Sequence, residues 1–186
     1  MAVQFQKRHF NVDEYYRMAE AGIFTEDDRV ELIEGEIIDM SPIGSYHAGC
    51  VNQLSSLLNQ KVGQVAVVQV QNPIRLDDFS APQPDIALLK PRADFYRRSH
   101  PTPSDVLLVI EVADTSVDYD RHVKLPLYAR AGIPEAWLVI LPKDIIEVHS
   151  QPQNGKYQKV QRLKRGKTLT SPTIPGLALS VDEILG

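Results

Sequence analysis

Residues 106–112 read Val-Leu-Leu-Val-Ile-Glu-Val, the most apolar run in the chain, and one acid, Glu111, interrupts it near its end. An apolar run without alternation is the pattern of a strand buried on both faces, so it calls for a sheet covered by other elements on each side. A carboxylate in such a strand is costly to bury unpaired, on the order of several kcal/mol. Glu111 must therefore reach the sheet edge, meet a cation or hold a metal ion.

The rest of the chain supplies that sheet and its cover. Val12–Ala21 reads as a helix capped by Asn11 or Asp13, with Tyr15, Met18 and Ala19 on one face. Arg29–Met40 is a hairpin or a bulged strand pair around Gly35. Ser45–Val62 carries Val51, Leu54, Leu58 and Val62 at helical spacing and ends at Gly63, where a left-handed cap is expected. Strands are expected at Val65–Val70, Asp85–Lys90 and Val106–Val112. A helix over Tyr119–Ala131, closed by Gly132 and Pro134, leads to a strand at Ala136–Leu141. A terminal meander, Ile145–His149 and Tyr157–Leu163, turns at Asn154-Gly155. This order predicts an α/β fold with a central mixed sheet flanked by helices. The 186 residues show no repeat and no low-complexity linker, so one domain spanning 1–186 is expected.

Composition excludes several classes. A single cysteine, Cys50, leaves no internal disulfide and no multi-cysteine zinc site, and it suits a reducing, cytoplasmic compartment. The opening residues MAVQFQKRHF lack the apolar stretch of a secretory signal. The apolar runs are far shorter than the roughly 20 residues that span a bilayer, so no membrane association is expected. A net charge of −4 neither advertises nor excludes a nucleic-acid partner. The phosphate-binding loop, GxGxxG, GxSxG and HExxH patterns are all missing, and the five histidines have no metal-ligand spacing. A Ser45–His47 pair is read as a helix start rather than part of a triad.

Asp85 raises the same question as Glu111, since it opens a strand directly after Pro84. Two acids at the ends of neighbouring strands repel unless a cation lies between them. Carboxylate oxygens suit Mg²⁺, which keeps several waters and bridges to phosphate. Lys124, on the helix after the Glu111 strand, would bring an ammonium back towards that strand end. Ordinary roles compete at each position. Asp85 after proline is a turn initiator, Glu111 is a partner for an arginine such as Arg75, and Lys124 is half of a helical pair with Asp120.

The segments VELIEGEI, PDIALL, VIEVADTS and KLPLYARAGIPEAWLV, in this order, resemble the Uma family of bacterial restriction-endonuclease-like proteins in the PD-(D/E)XK nuclease superfamily. The resemblance runs from about Val12 to Val181. It implies a mixed sheet flanked by helices and a catalytic set of Asp85, Glu111, Lys124 and Glu31. The superfamily lysine should stand two residues after Glu111, but that position is Ala113. In this family the lysine looks relocated to the helix, as Lys124. Glu31 is the implied fourth acid. Glu34 faces away if the strand is regular, and a bulge would reverse that choice. The implied reaction is hydrolysis of DNA phosphodiester bonds. Asp85, Glu111 and the Val112 carbonyl would hold Mg²⁺, or Mn²⁺ in its place.

Lys90, Arg92, Arg97 and Arg98 form a basic loop after the Asp85 strand and are the expected DNA contacts. The reason is that this loop leaves the same strand as Asp85. A second basic stretch, from Gln151 to Val181, holds six Lys and Arg and no acid. A homodimer would let two sites address two strands. The competing functions are a catalytically inactive nucleic-acid-binding or interaction protein on the same fold, and a metal-dependent hydrolase of small phosphoesters.

Overall fold

The chain enters through α1 (Val12–Glu20), whose start is closed by a reciprocal cap. The Asn11 side chain accepts the Glu14 N–H at 2.8 Å, and the Glu14 carboxylate accepts the Asn11 N–H at 3.1 Å. The buried face is Val12 and Tyr15, not the expected Tyr15, Met18 and Ala19. The packing explains the difference: α1 meets the hairpin through its first turns, where the Tyr15 hydroxyl donates to the Val30 carbonyl at 2.9 Å. That hairpin is β1 (Val30–Ile33) and β2 (Glu36–Asp39), paired antiparallel across a Glu34-Gly35 turn. This is a computed structural model describing residues 7–25 and 27–186. Residues 1–6, the first part of the segment read above for a signal pattern, lie outside the described residues.

Next comes α2 (Ser45–Val62), with the boundaries its periodicity predicts. The sheet follows as β3 (Val67–Val70), β4 (Ile86–Leu89), β5 (Val106–Ala113), β6 (Glu135–Ile140), β7 (Ile145–Gln153) and β8 (Lys156–Lys164). These six strands lie side by side in chain order. All neighbours are antiparallel except β5 and β6. That parallel step needs a crossover. It is made by α3 (Val117–Tyr119), a π-helical turn over Asp120–Lys124 and α4 (Leu125–Arg130). Pro126 has no N–H to continue an α-helical ladder, which suits an irregular turn just before it. The chain closes with β9 (Thr168–Thr170), β10 (Ala178–Ser180) and α5 (Val181–Leu185), three short elements not anticipated from periodicity.

The β5 side chains divide between two apolar layers. Leu108, Ile110 and Val112 pack towards α2 and α5, while Val109 and Ala113 pack towards α4. Alternation puts Glu111 on the α4 side. β5 is therefore covered on both faces, as its uninterrupted apolar run requires. Among the described residues, no helix is long and apolar enough to cross a membrane.

Candidate active site

A cleft of about 490 Å³ opens where β5 ends, between the hairpin, the start of α2 and the crossover helix. Four buried acids face it: Glu31 from β1, Asp85 just before β4, Glu111 from β5 and Asp120 from the π-helical turn. Asp85 and Glu111 meet there because β4 and β5 run antiparallel. The pairing of Ile86 with Ile110 sets the residue before β4 beside the end of β5.

Lys124 is the cation among them. Its side chain is 5% exposed, and its Nζ lies 3.3 Å from both Glu31 Oε2 and Glu111 Oε1. It also approaches the Gln83 carbonyl at 3.4 Å. The ammonium thus has an acceptor for each of its three protons. Burial opposes its charge, but Glu111, Glu31, Asp120 and Asp85 outweigh burial and push its pKa up. Lys124 is a fixed cation at neutral pH.

One lysine does not balance four acids. Burial pushes the Glu111 carboxyl well above the usual carboxylate range, helped by Asp120 and Asp85 and opposed by Lys124. Burial also raises Asp120, although Lys124 and the Ser116 hydroxyl, which donates at 2.6 Å, favour its ionised form. Asp85 goes the other way. Burial would raise it, but His47, the Val112 N–H and Gln71 outweigh that effect and hold it low. His47 Nε2 is 3.0 Å from Asp85 Oδ2, and the Val112 N–H donates to the same oxygen at 2.9 Å. The His47 pKa is raised, first by this hydrogen bond.

Three further donors brace the set. The Tyr128 hydroxyl donates to Glu111 Oε1. The Tyr119 hydroxyl donates to Glu31 Oε1 at 3.3 Å, while the Gln83 N–H donates to Glu31 Oε2 at 3.0 Å.

The structure brings Asp85, Glu111, Lys124 and Glu31 to one cleft, and the Val112 backbone borders it. Glu34 does not join them. It sits at the hairpin turn with a φ of 50° and pairs with Arg130 on the outside. The competing partners are also elsewhere. Arg75 pairs with Asp13 and Asp78 rather than Glu111. Lys124 makes its close ion pairs with Glu31 and Glu111 rather than with Asp120.

The basic loop stands apart from the cleft. Lys90, Arg92, Arg97 and Arg98 follow the far end of β4 from Asp85, and none of them lines the cleft. A shared strand does not bring them near the acid, because a strand separates its two ends. Arg92 is moreover engaged within the loop, with its Nε 2.6 Å from Asp94 Oδ1 and its guanidinium 3.8 Å from the Tyr96 ring centre.

Sequence reasoning missed His47, Asp120 and Tyr128. The signals were present. His47 stands four residues before Val51, on the buried stripe of α2. Asp120, Lys124 and Tyr128 recur at four-residue steps, which puts polar groups on the sheet-facing side of the crossover.

The donor set suits a hard divalent cation. Among the described residues, no three or more His, Cys, Asp or Glu side chains are placed to hold a metal ion together. Mg²⁺ does not need so many, since one or two carboxylates and retained waters suffice. The oxygen ligands on offer, and buried acids left short of positive charge, both fit such an ion.

Residues 12–182 match the Uma2 family, described as "putative restriction endonuclease". The chain belongs to that family. No curated protein matches the sequence. Among solved structures, it is similar to one described as a "putative nuclease belonging to DUF820" from Anabaena variabilis. The TM-score is 0.73 at 17% identity, over 95% of this chain and 97% of that one. At that identity the likeness establishes the fold alone, and the Uma2 match carries the family.

Proposed function

We propose that this Uma2-family chain is a divalent-metal-dependent endonuclease that hydrolyses phosphodiester bonds in DNA. One observation carries the reading: the Lys124 amine, borne by the crossover helix, lies 3.3 Å from Glu111 in the cleft that Asp85 also lines. Acid, acid and amine thus meet although Ala113 stands where a strand-borne lysine would be.

Asp85 and Glu111 would hold Mg²⁺, or Mn²⁺ in its place, with the Val112 carbonyl as a further oxygen. When bound, the ion supplies Lewis-acid polarisation of a phosphoryl oxygen and offsets its developing charge. The chain's own residues do the rest. Lys124 remains protonated and, by exchanging its 3.4 Å contact with the Gln83 carbonyl for a phosphate oxygen, donates to the phosphate as negative charge grows on it. Glu31 is a positioning residue that holds the Lys124 amine, itself fixed by the Gln83 N–H and the Tyr119 hydroxyl. His47 and the Val112 N–H keep Asp85 ionised and oriented. Tyr128 occupies one oxygen of Glu111 and so orients that carboxylate. We read the working form as cytoplasmic, on the single buried Cys50, and as a homodimer that presents two clefts to two strands.

The test is purified protein with supercoiled plasmid and Mg²⁺ or Mn²⁺. Wild type should yield nicked or linear product. Asp85→Asn, Glu111→Gln and Lys124→Ala should each lose about 100-fold or more in rate, the scale of removing one preorganised charge-stabilising group. Plasmid binding without cleavage, unchanged in all three variants, overturns the enzyme reading in favour of a non-catalytic DNA-binding protein.

A further inference from the structure

The cleft alone is a poor first contact for a polyanion. Its lining includes six carboxylates (Glu31, Asp39, Asp85, Glu111, Asp114 and Asp120) against two permanent cations, Arg29 and Lys124. Positive charge must come from elsewhere, and the Lys90–His100 loop lies at the wrong end of β4.

The other flank of the crossover supplies it. Arg121 shares the π-helical turn with Lys124 but points towards β7. There its Nη2 lies 3.2 Å from Glu147 Oε1. Arg162 on β8 places its Nε 2.8 Å from the same oxygen, and His149 Nε2 is 3.3 Å from Glu147 Oε2. The Glu147 side chain is only 3% exposed. Burial would raise its pKa, but Arg162, Arg121 and His149 outweigh burial and keep it ionised. Burial lowers the His149 pKa despite Glu147, so His149 is neutral at pH 7. Two guanidinium groups therefore share one carboxylate, and the cluster carries net positive charge.

Arg162 does not spend its fork on Glu147. Its side chain is 70% exposed, and only its Nε is engaged among the described residues. The two terminal nitrogens face solvent, in the geometry that grips a phosphate through two hydrogen bonds. β8 and the chain beyond it to Val181 hold no acid.

Register fixes where this cluster lies. Glu111 pairs with Leu138, Leu138 with Glu147, and Glu147 with Arg162, forming one line across the sheet. At about 4.8 Å per strand, Glu147 is about 10 Å and Arg162 about 14 Å from Glu111. At a rise of about 3.4 Å per nucleotide, that is roughly three to four nucleotides.

We propose that Arg162 and Arg121, oriented by the buried Glu147, are a phosphate clamp for duplex DNA, gripping the backbone three to four nucleotides from the bond to be cut. The clamp rests on the nuclease reading and adds a direction to it: the duplex runs from the cleft along the outside of the crossover to Arg162 at the β8 edge, away from β3 and the Lys90–His100 loop.

The experiment measures binding of the full chain to a fluorescent 20-base-pair duplex, in Ca²⁺, from about 50 to 200 mM salt. Arg162→Gln and Arg121→Gln should each weaken binding three- to tenfold at the low-salt end. Each should also flatten the slope of log K against log salt by about 0.9, the mark of one lost phosphate contact. Arg162→Lys should keep the slope and lose part of the affinity. A double substitution of Arg97 and Arg98 to Gln should leave both unchanged. Arginine variants that lower the melting temperature but leave slope and affinity at wild-type values assign the cluster a structural role and overturn the clamp. Arg162→Gln, at an exposed position on an edge strand, tests the clamp even if Arg121→Gln fails to fold. If wild type cleaves plasmid while neither variant shifts the slope, the clamp alone falls. If wild type neither binds nor cleaves DNA, the nuclease reading falls with it.

Discussion

Glu111 is under conflicting demands. It is fully buried, it is surrounded by other acids, and its carboxyl is pushed well above the usual range, first by burial. A group whose folded pKa is raised favours the folded state at low pH. It subtracts stability as pH rises from the unfolded carboxylate value of about 4.3 towards the folded value. Glu111→Gln keeps an acceptor for Tyr128 and removes that charge. The variant should melt higher than wild type in EDTA at pH 8, by about 1 kcal/mol or 2–4 °C, with the difference shrinking towards pH 5. It should do so while losing cleavage, which is the pattern of a site held against the stability of its scaffold. Melting curves across pH check this. A variant that melts lower at every pH would mean that the Glu111–Lys124 contact stabilises more than the burial of charge destabilises. Glu31 and Glu34 make a related point. They are three residues apart: Glu31 on β1 meets the Lys124 amine, whereas Glu34, in the left-handed turn position just beyond β1, pairs with Arg130 outside.

Among the elements, the β1–β2 hairpin matters most to the site beyond the central sheet, because it carries Glu31 to Lys124. Its turn depends on Gly35. The residue has a φ of 82°, and a Cβ there would lie 2.5 Å from the His9 Cβ. Its N–H also donates to the Phe79 carbonyl, and its carbonyl accepts from Phe10. Gly35→Ala should therefore destabilise the protein by about 1–3 kcal/mol, the range of strain at a special backbone position. Chemical denaturation checks it. Because Glu31 rides on the hairpin, cleavage by the folded fraction should fall as well. The crossover is the second such element. Its π-helical turn points Lys124 at the acids and Arg121 at β7, so one stretch of five residues serves both the cleft and the proposed clamp.

At the scale of the molecule, uncompensated acid at one sheet end should make folding sensitive to divalent cations. An ion that binds only the folded state stabilises by RT ln(1 + [L]/Kd), about 2.7 kcal/mol at one hundred times Kd. Mn²⁺ or Mg²⁺ should thus raise the melting temperature in a concentration-dependent way that EDTA reverses. Asp85→Asn should abolish the shift and Arg162→Gln should preserve it. A shift that survives Asp85→Asn would place the ion elsewhere. The same charge pattern orients the molecule: the acids gather in the cleft, and the open arginine lies across the sheet on β8.

Much of this fold could be read in the chain because its strongest signals are local. Continuous apolar stretches marked β5 and β6, helical spacing marked α2 to the residue, and Gly35 and Asn154-Gly155 marked turns by their backbone freedom. Acids inside apolar strands also marked Asp85 and Glu111, since burial makes them anomalous wherever they occur. What lay beyond reach was whatever depends on strand order and direction. The antiparallel β4–β5 register put Asp85 beside Glu111 and sent the Lys90–Arg98 loop to the opposite end. The packing of α2 over the sheet delivered His47, and the π-helical turn aimed Lys124, Asp120 and Tyr128. Those meetings join residues far apart in the chain, and no local preference encodes a distance between them; only the closing of the sheet and its helices does.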